Sequence, residues 1–409
     1  MTTQLRVLQR SEWDQWYGKL ERAFGGVPDS PQERRLFESL TETARSLGAW
    51  DGDECVGTAG AFTFRVSVPG GTMVSAAGVT MVSVAATHRR RGILTSMMRR
   101  QLDDVRALGE PLAVLTASEP VIYGRFGYGT ATHQLSVEVD SSRVRIAVPP
   151  GAEDVRLRFV TVEEGAATCE RVYLRTIGSR PGMLARTPGW EGLPLLDPPG
   201  EREGASPMQC VLAERDGEVV GYVRFHNKPE WLPTGPEGAV SVRHIDALDP
   251  AAYAALWRFL CEIDLTSTVQ ARNRPVDDPL LHLVSDIRRC SVRVRDSLHV
   301  RLVDVGAALE ARTYVAPVDV VLDVEDAFCP WNSGRWRLTG DAKGASCERT
   351  EDAAELALSV RELGAAYLGG VSLSSLAGAG RVRELREGAL AEASLAFGSD
   401  VAPWLPHGF

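Results

Sequence analysis

Three consecutive arginines, Arg89–Arg91, followed by Gly92, have the types and spacing to bind a phosphate-bearing ligand. The apolar run at 79–85 before them predicts a buried strand. After Gly92, apolar residues recur at helical spacing and predict a helix that ends near Gly109: Leu94, Met98, Leu102 and Val105. A turn between strand and helix directs backbone N–H groups at an anion, and the helix N-terminus adds positive partial charge. The segment therefore predicts a pyrophosphate site.

Two common phosphate loops are excluded by the residues around Gly92. No Gly-Lys-Ser/Thr ends the loop, so it is not a P-loop, and the Gly-x-Gly-x-x-Gly of dinucleotide-binding folds is missing. A solvated basic turn before an ordinary helix also accounts for the arginines, because charge runs are commonly solvated faces. On these residues alone both interpretations stay open.

The spacing Arg89-x-x-Gly92-x-Leu94 resembles the acetyl-CoA loop of the GNAT acetyltransferases, although Leu94 departs from the usual Gly or Ala. A second apolar strand is predicted over 112–117. In the GNAT fold two such strands separate beyond the loop, and the thioester lies between them. The resemblance therefore implies an acetyl-CoA cleft here.

The string Ser118-Glu-Pro-Val-Ile-Tyr-Gly-Arg-Phe-Gly-Tyr-Gly129, following Thr87-His-Arg-Arg-Arg-Gly92, resembles the Eis family of GNAT-type aminoglycoside N-acetyltransferases. Further similar segments lie at 278–283, at 303–312 and at the chain end, Phe409. The resemblance covers nearly the whole chain. It implies an α+β fold of two GNAT-like acetyltransferase domains followed by a sterol-carrier-like domain, and assembly into a hexamer.

Acetyl-CoA is implied as the co-substrate, and the resemblance assigns its contacts to Val82, Ser83, Val84, Arg90, Arg91, Gly92, Ile93, Leu94, Thr95, Ser118 and Glu119. An extended pantetheine arm can add to a strand edge through main-chain bonds. Val82 and Val84 can therefore bind it while packing in the core. Acetyl transfer needs no metal, and the histidines show no ligand spacing, so no metal is expected.

Tyr123 is the candidate general acid. A phenol with a reference pKa of about 10 is protonated at neutral pH, and it can donate to a thiolate leaving group. The equivalent tyrosine has this role in the Eis family. The alternative is a tyrosine that anchors the glycine-rich turn by packing.

Phe409 is the candidate general base, through its α-carboxylate. The last residues, Pro403-Trp-Leu-Pro-His-Gly-Phe409, are apolar and predict a docked tail, whereas chain ends usually fray. In the Eis family the terminal carboxylate acts as the base. The alternative is a tail that only fastens the last domain.

Composition predicts a soluble globular protein of two or three domains, with 409 residues, 44% hydrophobic and 24% charged. The net charge of −9 argues against nucleic acid as a partner. No apolar run reaches the roughly 18 residues of a membrane span, and no signal-peptide pattern is present. Seven scattered cysteines predict reduced thiols and a cytoplasmic location.

Three domains are expected: a catalytic GNAT domain at 1–150, a degenerate GNAT-like structural domain at 151–292, and a sterol-carrier-like domain at 293–409. Asp51-Gly and Asp216-Gly each predict a hairpin, which indicates either a duplication or two unrelated turns. A strand at 242–245 and a helix at 253–260 flank Asp246-Ala-Leu-Asp-Pro250, whose acids would repel a pyrophosphate.

The pattern after residue 293 predicts a mixed domain. Strands are expected at 298–302 and 320–324, and helices at 303–312 and 353–364. Fold alone does not fix function. The C-terminus of this domain is expected to enter the active site.

The expected function is transfer of an acetyl group from acetyl-CoA to primary amines of an aminoglycoside-like or polyamine substrate, with antibiotic resistance as the implied biological setting. Acetylation of a protein or peptide lysine, or non-enzymatic lipid binding by the C-terminal domain, are the alternatives. The resemblance implies an acidic residue in the first helix region that contacts the drug, which Phe24-Gly-Gly26 replaces here, and a second acidic residue just before the terminal Phe, which Gly408 replaces. These losses predict weaker binding of polycations.

Overall fold

The computed structural model describes residues 3–409, which form three large β-sheets, one short two-stranded sheet and ten α-helices. The helices are α1 (Trp13–Ala23), α2 (Pro31–Leu40), α3 (Ile93–Ala107), α4 (Val162–Thr176), α5 (Pro250–Cys261), α6 (Leu280–Leu283), α7 (Val305–Glu310), α8 (Val360–Ala366), α9 (Leu373–Gly378) and α10 (Ala389–Ala396).

The first half of the strands comprises β1 (Gln4–Val7), β2 (Leu47–Asp51), β3 (Glu54–Ser67), β4 (Met73–Val84), β5 (Leu112–Thr116), β6 (Gly129–Thr130), β7 (His133–Asp140), β8 (Arg156–Val160), β9 (Leu184–Ala185), β10 (Gln209–Arg215) and β11 (Glu218–Lys228). The second half comprises β12 (Trp231–Leu232), β13 (Gly235–Pro236), β14 (Gly238–Ala247), β15 (Thr266–Arg274), β16 (Cys290–Asp296), β17 (Leu298–Leu302), β18 (Val318–Glu325), β19 (Gly334–Asp341), β20 (Gly344–Arg349), β21 (Leu356–Ser359) and β22 (Val382–Glu384).

The first sheet has the order β1-β2-β3-β4-β5-β17-β6, with β9 paired to β3. Strand β4 and helix α3 confirm the predicted strand–turn–helix. The helix packs on the sheet through buried Met98, Leu102 and Val105, as the spacing predicted, and also through Ile93 and Met97, whereas Leu94 is half-buried. This packing fixes where the turn between β4 and α3 lies.

Strands β4 and β5 are parallel, but they pair only from Ala76–Gly78 to Leu112–Val114. Beyond Gly78 and Val114 no pair joins them, although both strands continue. The two strands therefore separate, as the GNAT resemblance implies. A parallel pair with an open end leaves main-chain groups of both strands free for a ligand.

The sheets divide the chain at residues different from the expected domain boundaries. The chain to Thr132, Arg180–Thr187 and Asp296–Phe409 form one compact unit. The strand predicted at 298–302 exists as β17, but it pairs with β5 and β6 of the first sheet. Residues 133–140, expected in the first domain, form β7 of the second unit.

The second unit, His133–Ser179 with Pro188–Arg295, contains the seven-stranded sheet β16-β7-β15-β14-β11-β10-β8. Strand β14 and helix α5 cover the predicted strand and helix of this region. The hairpin predicted at Asp216-Gly joins β10 to β11, with positive φ at both turn residues. In the first unit, the hairpin predicted at Asp51-Gly joins β2 to β3; its turn residues are Gly52 and Asp53, of which Gly52 has positive φ.

The third sheet, β20-β19-β18-β21-β22, belongs to the first unit, together with α7 to α10. Here the helix predicted at 353–364 is wrong in its first half. Leu356–Ser359 form β21, which pairs in parallel with β18, and α8 begins only at Val360. Pairing with β18 overrides the helical propensity of the Ala-Glu-Leu sequence, because propensity is a weak preference beside tertiary packing.

No helix within residues 3–409 is long and apolar enough to span a membrane. Six of the seven cysteines are buried, and none is joined to another within residues 3–409. Small buried thiols behave as apolar side chains.

Candidate active site

The part of β4 that runs past its last pair with β5 carries Val82, Ser83 and Val84. A β-bulge precedes these residues: the β3 partners step from Thr58↔Ser83 to Gly60↔Thr80, and Met81 has φ of +53°. Bulges re-aim a strand and are frequent beside binding sites. The bulge therefore redirects the main chain of residues 82–84 where β5 no longer pairs with it.

The side chains of residues 82–84 are occupied within the protein. The Ser83 hydroxyl lies 2.7 Å from the Thr58 hydroxyl on β3. Val82 and Val84 are half-buried against the apolar cluster shared with α3. Only the backbone of this stretch remains for a ligand, which is what main-chain recognition of an extended molecule requires.

The loop before α3 combines exposed arginines with unusual backbone angles. Arg90 has φ of +63° and Gly92 has φ of +79°. Gly92 is the N-cap of α3 and supplies no side chain to accept from the first helical N–H groups. These N–H groups lack helical partners, so together with the flanking arginines they can bind an anion.

The N-terminus of α5, which is the equivalent position in the second unit, is already capped by its own residues. The Asp249 carboxylate accepts from the backbone N–H of Ala252 at 2.9 Å, and Pro250 at the first position has no N–H. Asp246 accepts from the Tyr222 hydroxyl at 2.7 Å. The acids predicted to repel a pyrophosphate therefore stabilise the second unit.

Tyr123 lies after β5, between two short 3₁₀ turns, Pro120–Ile122 and Gly124–Phe126. Its carbonyl accepts from the N–H groups of Phe126 at 3.0 Å and Tyr128 at 3.3 Å. Burial raises the pKa of the Tyr123 phenol to about 12, and the charge of nearby Glu119 acts in the same direction. The phenol is therefore a proton donor at every pH at which the protein would be assayed.

Ser118 and Glu119, which lead into this turn, are exposed. They follow the end of β5, on the opposite strand from Val82–Val84. The predicted cofactor contacts thus come from both strands that border the separation, together with the loop before α3.

Phe409 lies against β4. Thr80 Oγ1 donates a hydrogen bond to the Phe409 carboxylate oxygen at 3.1 Å. The Phe409 ring packs edge-on against Phe64, with the centroids 5.0 Å apart. A Cβ added to Gly78 would come within 3.2 Å of the Phe409 ring. The chain end therefore lies on β4 at the residues where β5 stops pairing.

The tail before Phe409 is docked, as its composition predicts. The N–H of Trp404 donates to the Pro181 carbonyl at 2.8 Å. Arg186 Nε donates to His407 Nε2 at 3.2 Å, and His407 Nδ1 lies 3.0 Å from the Gly408 carbonyl. Burial lowers the pKa of the His407 imidazole to about 4, and the positive charge of Arg186 adds to this effect. A neutral imidazole thus fastens the tail to 180–187.

We define the Tyr123 turn as residues 119–129. The residues that pack around this turn were not identified from the sequence. Arg301 on β17 is fully buried and pairs with Asp326 at 2.6 Å. A Cβ on Gly127 would lie 2.8 Å from Arg301 Nε. The strand predicted at 298–302 carried no indication that both of its faces would be buried.

No group of three or more His, Cys, Asp or Glu residues within 3–409 is arranged to hold a metal ion.

Comparison with known proteins places these features in a family. Residues 4–131 and 182–302 each match a family described as an acetyltransferase (GNAT) domain, and residues 305–406 match one described as a sterol carrier protein domain. A Streptomyces avermitilis protein named as an uncharacterized N-acetyltransferase is 69% identical over the whole of both chains. N-acetyltransferase Eis from Mycobacterium tuberculosis is 34% identical, covering 95% of this chain and 96% of its own.

The chain belongs to the Eis family of N-acetyltransferases. The crystal structure of Eis1 from Mycobacterium abscessus superposes with a TM-score of 0.84 at 33% identity, over all of both chains. The predicted fold class, two GNAT domains followed by a sterol-carrier domain, is confirmed. The protein is accordingly an acetyltransferase, and GNAT acetyltransferases use acetyl-CoA.

Proposed function

We propose that this Eis-family protein transfers the acetyl group of acetyl-CoA to a primary amine of a small polyamine or aminoglycoside-like molecule. The observation that carries the proposal is the position of Phe409 on β4 at Gly78 and Thr80, where β4 and β5 separate. Tyr123 follows the other strand of the pair. The proposed base thus lies on one of the two separating strands, and the proposed acid follows the other.

Acetyl-CoA is proposed to bind with its pyrophosphate on the loop Arg90–Thr95 and its pantetheine arm along residues 82–84. Two observations support this assignment: the uncapped N-terminus of α3, and side chains on β4 that leave only main-chain groups to bind. Ser118 and Glu119 are proposed to contact the cofactor from the β5 side.

The proposed mechanism needs one base and one acid. The Phe409 carboxylate takes a proton from the substrate ammonium, and the free amine attacks the thioester carbonyl to form a C–N bond. As the C–S bond breaks, the Tyr123 hydroxyl gives its proton to the departing thiolate. The second proton lost by the nitrogen returns to the Tyr123 phenolate. General acid–base steps of this kind contribute about 10²–10⁴-fold each.

We propose that substrate preference leans away from the most highly charged aminoglycosides, relative to family members that keep both acids. Gly26 and Gly408 stand where the family resemblance implies acidic residues, and no atom lies within 4 Å of a Cβ at either position. Each lost charge pair is worth about 0.2–1 kcal/mol. Replacing Gly408 with Glu, or Gly26 with Asp, should therefore lower KM for a polycationic aminoglycoside by up to several-fold. Gly26 has φ of +76°, which Asp tolerates better than most residues.

The deciding experiment measures thiol release from acetyl-CoA against a panel of amines that includes spermidine, kanamycin and a lysine peptide, with the mass of each product determined. The proposal expects turnover of small di- and polyamines, with acetylated product in equal amount to released thiol. Faster turnover of the lysine peptide than of any small amine would contradict it. Thiol release without acetylated product would also contradict it.

A hexamer, implied by the family, and a cytoplasmic location remain proposals. Sedimentation analysis of the purified full chain tests the first, with a mass of six chains as the expected result.

A further inference from the structure

The glycines of the Tyr123 turn are explained by what packs against them. A Cβ on Gly129 would collide with the carbonyl oxygen of Arg361 and lie 2.5 Å from the backbone nitrogen of Ala365, both on α8. Gly129 does not have a positive φ. Glycine is therefore required there by the close approach of α8, not by the conformation of the turn.

The reciprocal contact comes from Gly364 on α8. A Cβ there would collide with the carbonyl oxygen of Val300 on β17, and the backbone nitrogen of Gly129 lies 3.5 Å from the same point. Alanine inside a helix is normally preferred to glycine by about 1 kcal/mol. A glycine inside α8 therefore indicates that close packing outweighs helix stability at this position.

The buried pair of Arg301 and Asp326 also packs against the turn, at Gly127, where Val360 of α8 comes equally close. Arg301 also donates to the Leu302 carbonyl at 3.0 Å, while Asp326 accepts from the Cys329 N–H at 2.9 Å and from Asn332 Nδ2 at 3.0 Å. The guanidinium that touches Gly127 is thus held by residues of the sterol-carrier region.

The turn has few stabilising interactions of its own. Its two 3₁₀ segments have no side-chain caps, and Val121 is 87% exposed. Within the turn, the Tyr123 ring makes an edge contact with the Tyr128 ring, with 6.0 Å between the centroids. Short 3₁₀ turns have poor hydrogen-bond geometry, so external packing must fix the direction of the phenol.

We propose that α8 of the sterol-carrier region acts as the positioning element for the catalytic acid, with Gly129, Gly364 and Arg361 as positioning residues. This role rests on the proposed function of Tyr123. Helix α8 packs against the turn at Gly124, Gly127 and Gly129, and Arg301 packs against it at Gly127, so the backbone that carries the phenol is held in place. The sterol-carrier region then serves catalysis through packing on the GNAT turn, separately from the tail that it carries.

The test uses the full chain with Gly364→Ala, and Gly378→Ala as the matched control. Gly378 ends α9 of the same region and has no neighbour within 4 Å of an added Cβ. Gly364→Ala is expected to lower kcat by about ten- to a hundredfold, since a displacement near 1 Å can cost that much. Gly364→Ala should leave acetyl-CoA affinity unchanged and increase hydrogen exchange of residues 119–129. Gly378→Ala should change neither kcat nor the hydrogen exchange of these residues.

A double-mutant cycle separates positioning from general destabilisation. If Gly364 acts through Tyr123, adding Gly364→Ala to Tyr123→Phe should lower kcat no further. If Gly364→Ala does not fold, Arg361→Ala replaces it, because Arg361 is exposed and lies 2.9 Å from a Cβ on Gly124. Arg361→Lys should recover part of its loss.

Full activity and unchanged exchange in a folded Gly364→Ala or Arg361→Ala protein would overturn the inference. Additive losses in the cycle would overturn it as well. If exchange rises in residues 119–129 but Tyr123→Phe keeps wild-type kcat, the packing inference stands and the proposed role of Tyr123 fails.

Discussion

Thr80 donates a hydrogen bond to the carboxylate of Phe409 at 3.1 Å, joining β4 to the end of the chain. Between these residues in sequence lie the loop before α3, the Tyr123 turn and all of the sterol-carrier region. A carboxylate that accepts from a hydroxyl is held in one orientation. Thr80 thus connects the proposed base to the strand proposed to hold the thioester.

Replacing Thr80 with Val should lower kcat/KM by about ten- to a hundredfold, because a hydrogen bond to a charged group is worth about 1.5–3 kcal/mol. Thr80→Ser, which keeps the hydroxyl, is the control and should stay within a few-fold of wild type. Steady-state kinetics with one amine substrate measure both. Full activity in Thr80→Val together with a loss in Thr80→Ser would show that the methyl group, not the hydroxyl, matters.

A residue added after Phe409, or deletion of Phe409, should abolish most turnover while acetyl-CoA binding is retained. In either variant the carboxylate moves away from Thr80, while the loop before α3 is untouched. Turnover of the free-ended, extended and shortened proteins should be compared, with melting temperatures to exclude misfolding. If all three proteins are equally active, the tail is only a structural attachment.

Tyr123→Phe should lower kcat by about 10²–10⁴-fold at every pH between 6 and 10. Because the pKa of Tyr123 is raised to about 12, the phenol keeps its proton throughout this range and loses it only as pH rises through that value. Wild-type kcat should therefore show no alkaline decline from Tyr123 below about pH 11. Tyr314→Phe, which removes a buried hydroxyl bonded to Leu309, is the control.

Gly92→Val should weaken acetyl-CoA binding without preventing folding. A β-branched residue disfavours the φ of +79° at Gly92, yet no atom lies within 4 Å of its added Cβ. Gly109→Val is a close control, with φ of +73°, open space and a position just after the same helix. Calorimetry should show lower affinity only for Gly92→Val. Unchanged affinity in that variant would remove the loop from the cofactor site.

Acid should detach the tail through His407. Its folded pKa of about 4 is below the usual 6.5, so the unfolded state binds more protons between these values and stability falls as pH drops from 6.5 to 4. The difference corresponds to about 3 kcal/mol. His407→Gln should flatten the dependence of melting temperature on pH in this window, whereas His282→Gln, at an exposed site, should not. An unchanged slope in His407→Gln would contradict the assignment.

Patterns within short stretches of the sequence predicted the elements of the site that depend on neighbouring residues alone. The periodicity of apolar residues predicted strand β4 and helix α3. The arginines and Gly92 predicted the turn between them. The two Asp-Gly hairpins are equally local, and α5 follows from its apolar spacing. The Tyr123 turn was found only by family resemblance, because a tyrosine among glycines has no periodicity.

Long-range pairing explains what could not be predicted. The sequence of β17 predicts a strand with one apolar face. Its partner β5 lies far earlier in the chain. Both faces of β17 are buried, including the side chains of His299 and Arg301. Residues 356–359 look helical until β18 pairs with them. The reason for Gly129 and Gly364 is a contact between distant segments, which one sequence does not reveal.

The insertion of β17 between β5 and β6 has a consequence for handling the gene. A fragment that stops before Asp296 would lack β17, so the edge of β5 that faces away from β4 would carry unpaired N–H and C=O groups. Exposed strand edges of this kind promote aggregation. The GNAT segment therefore cannot be expressed or exchanged without β17. A chimaera that takes its catalytic domain from a relative should include Leu298–Leu302 as well as the first 132 residues of that relative's sequence.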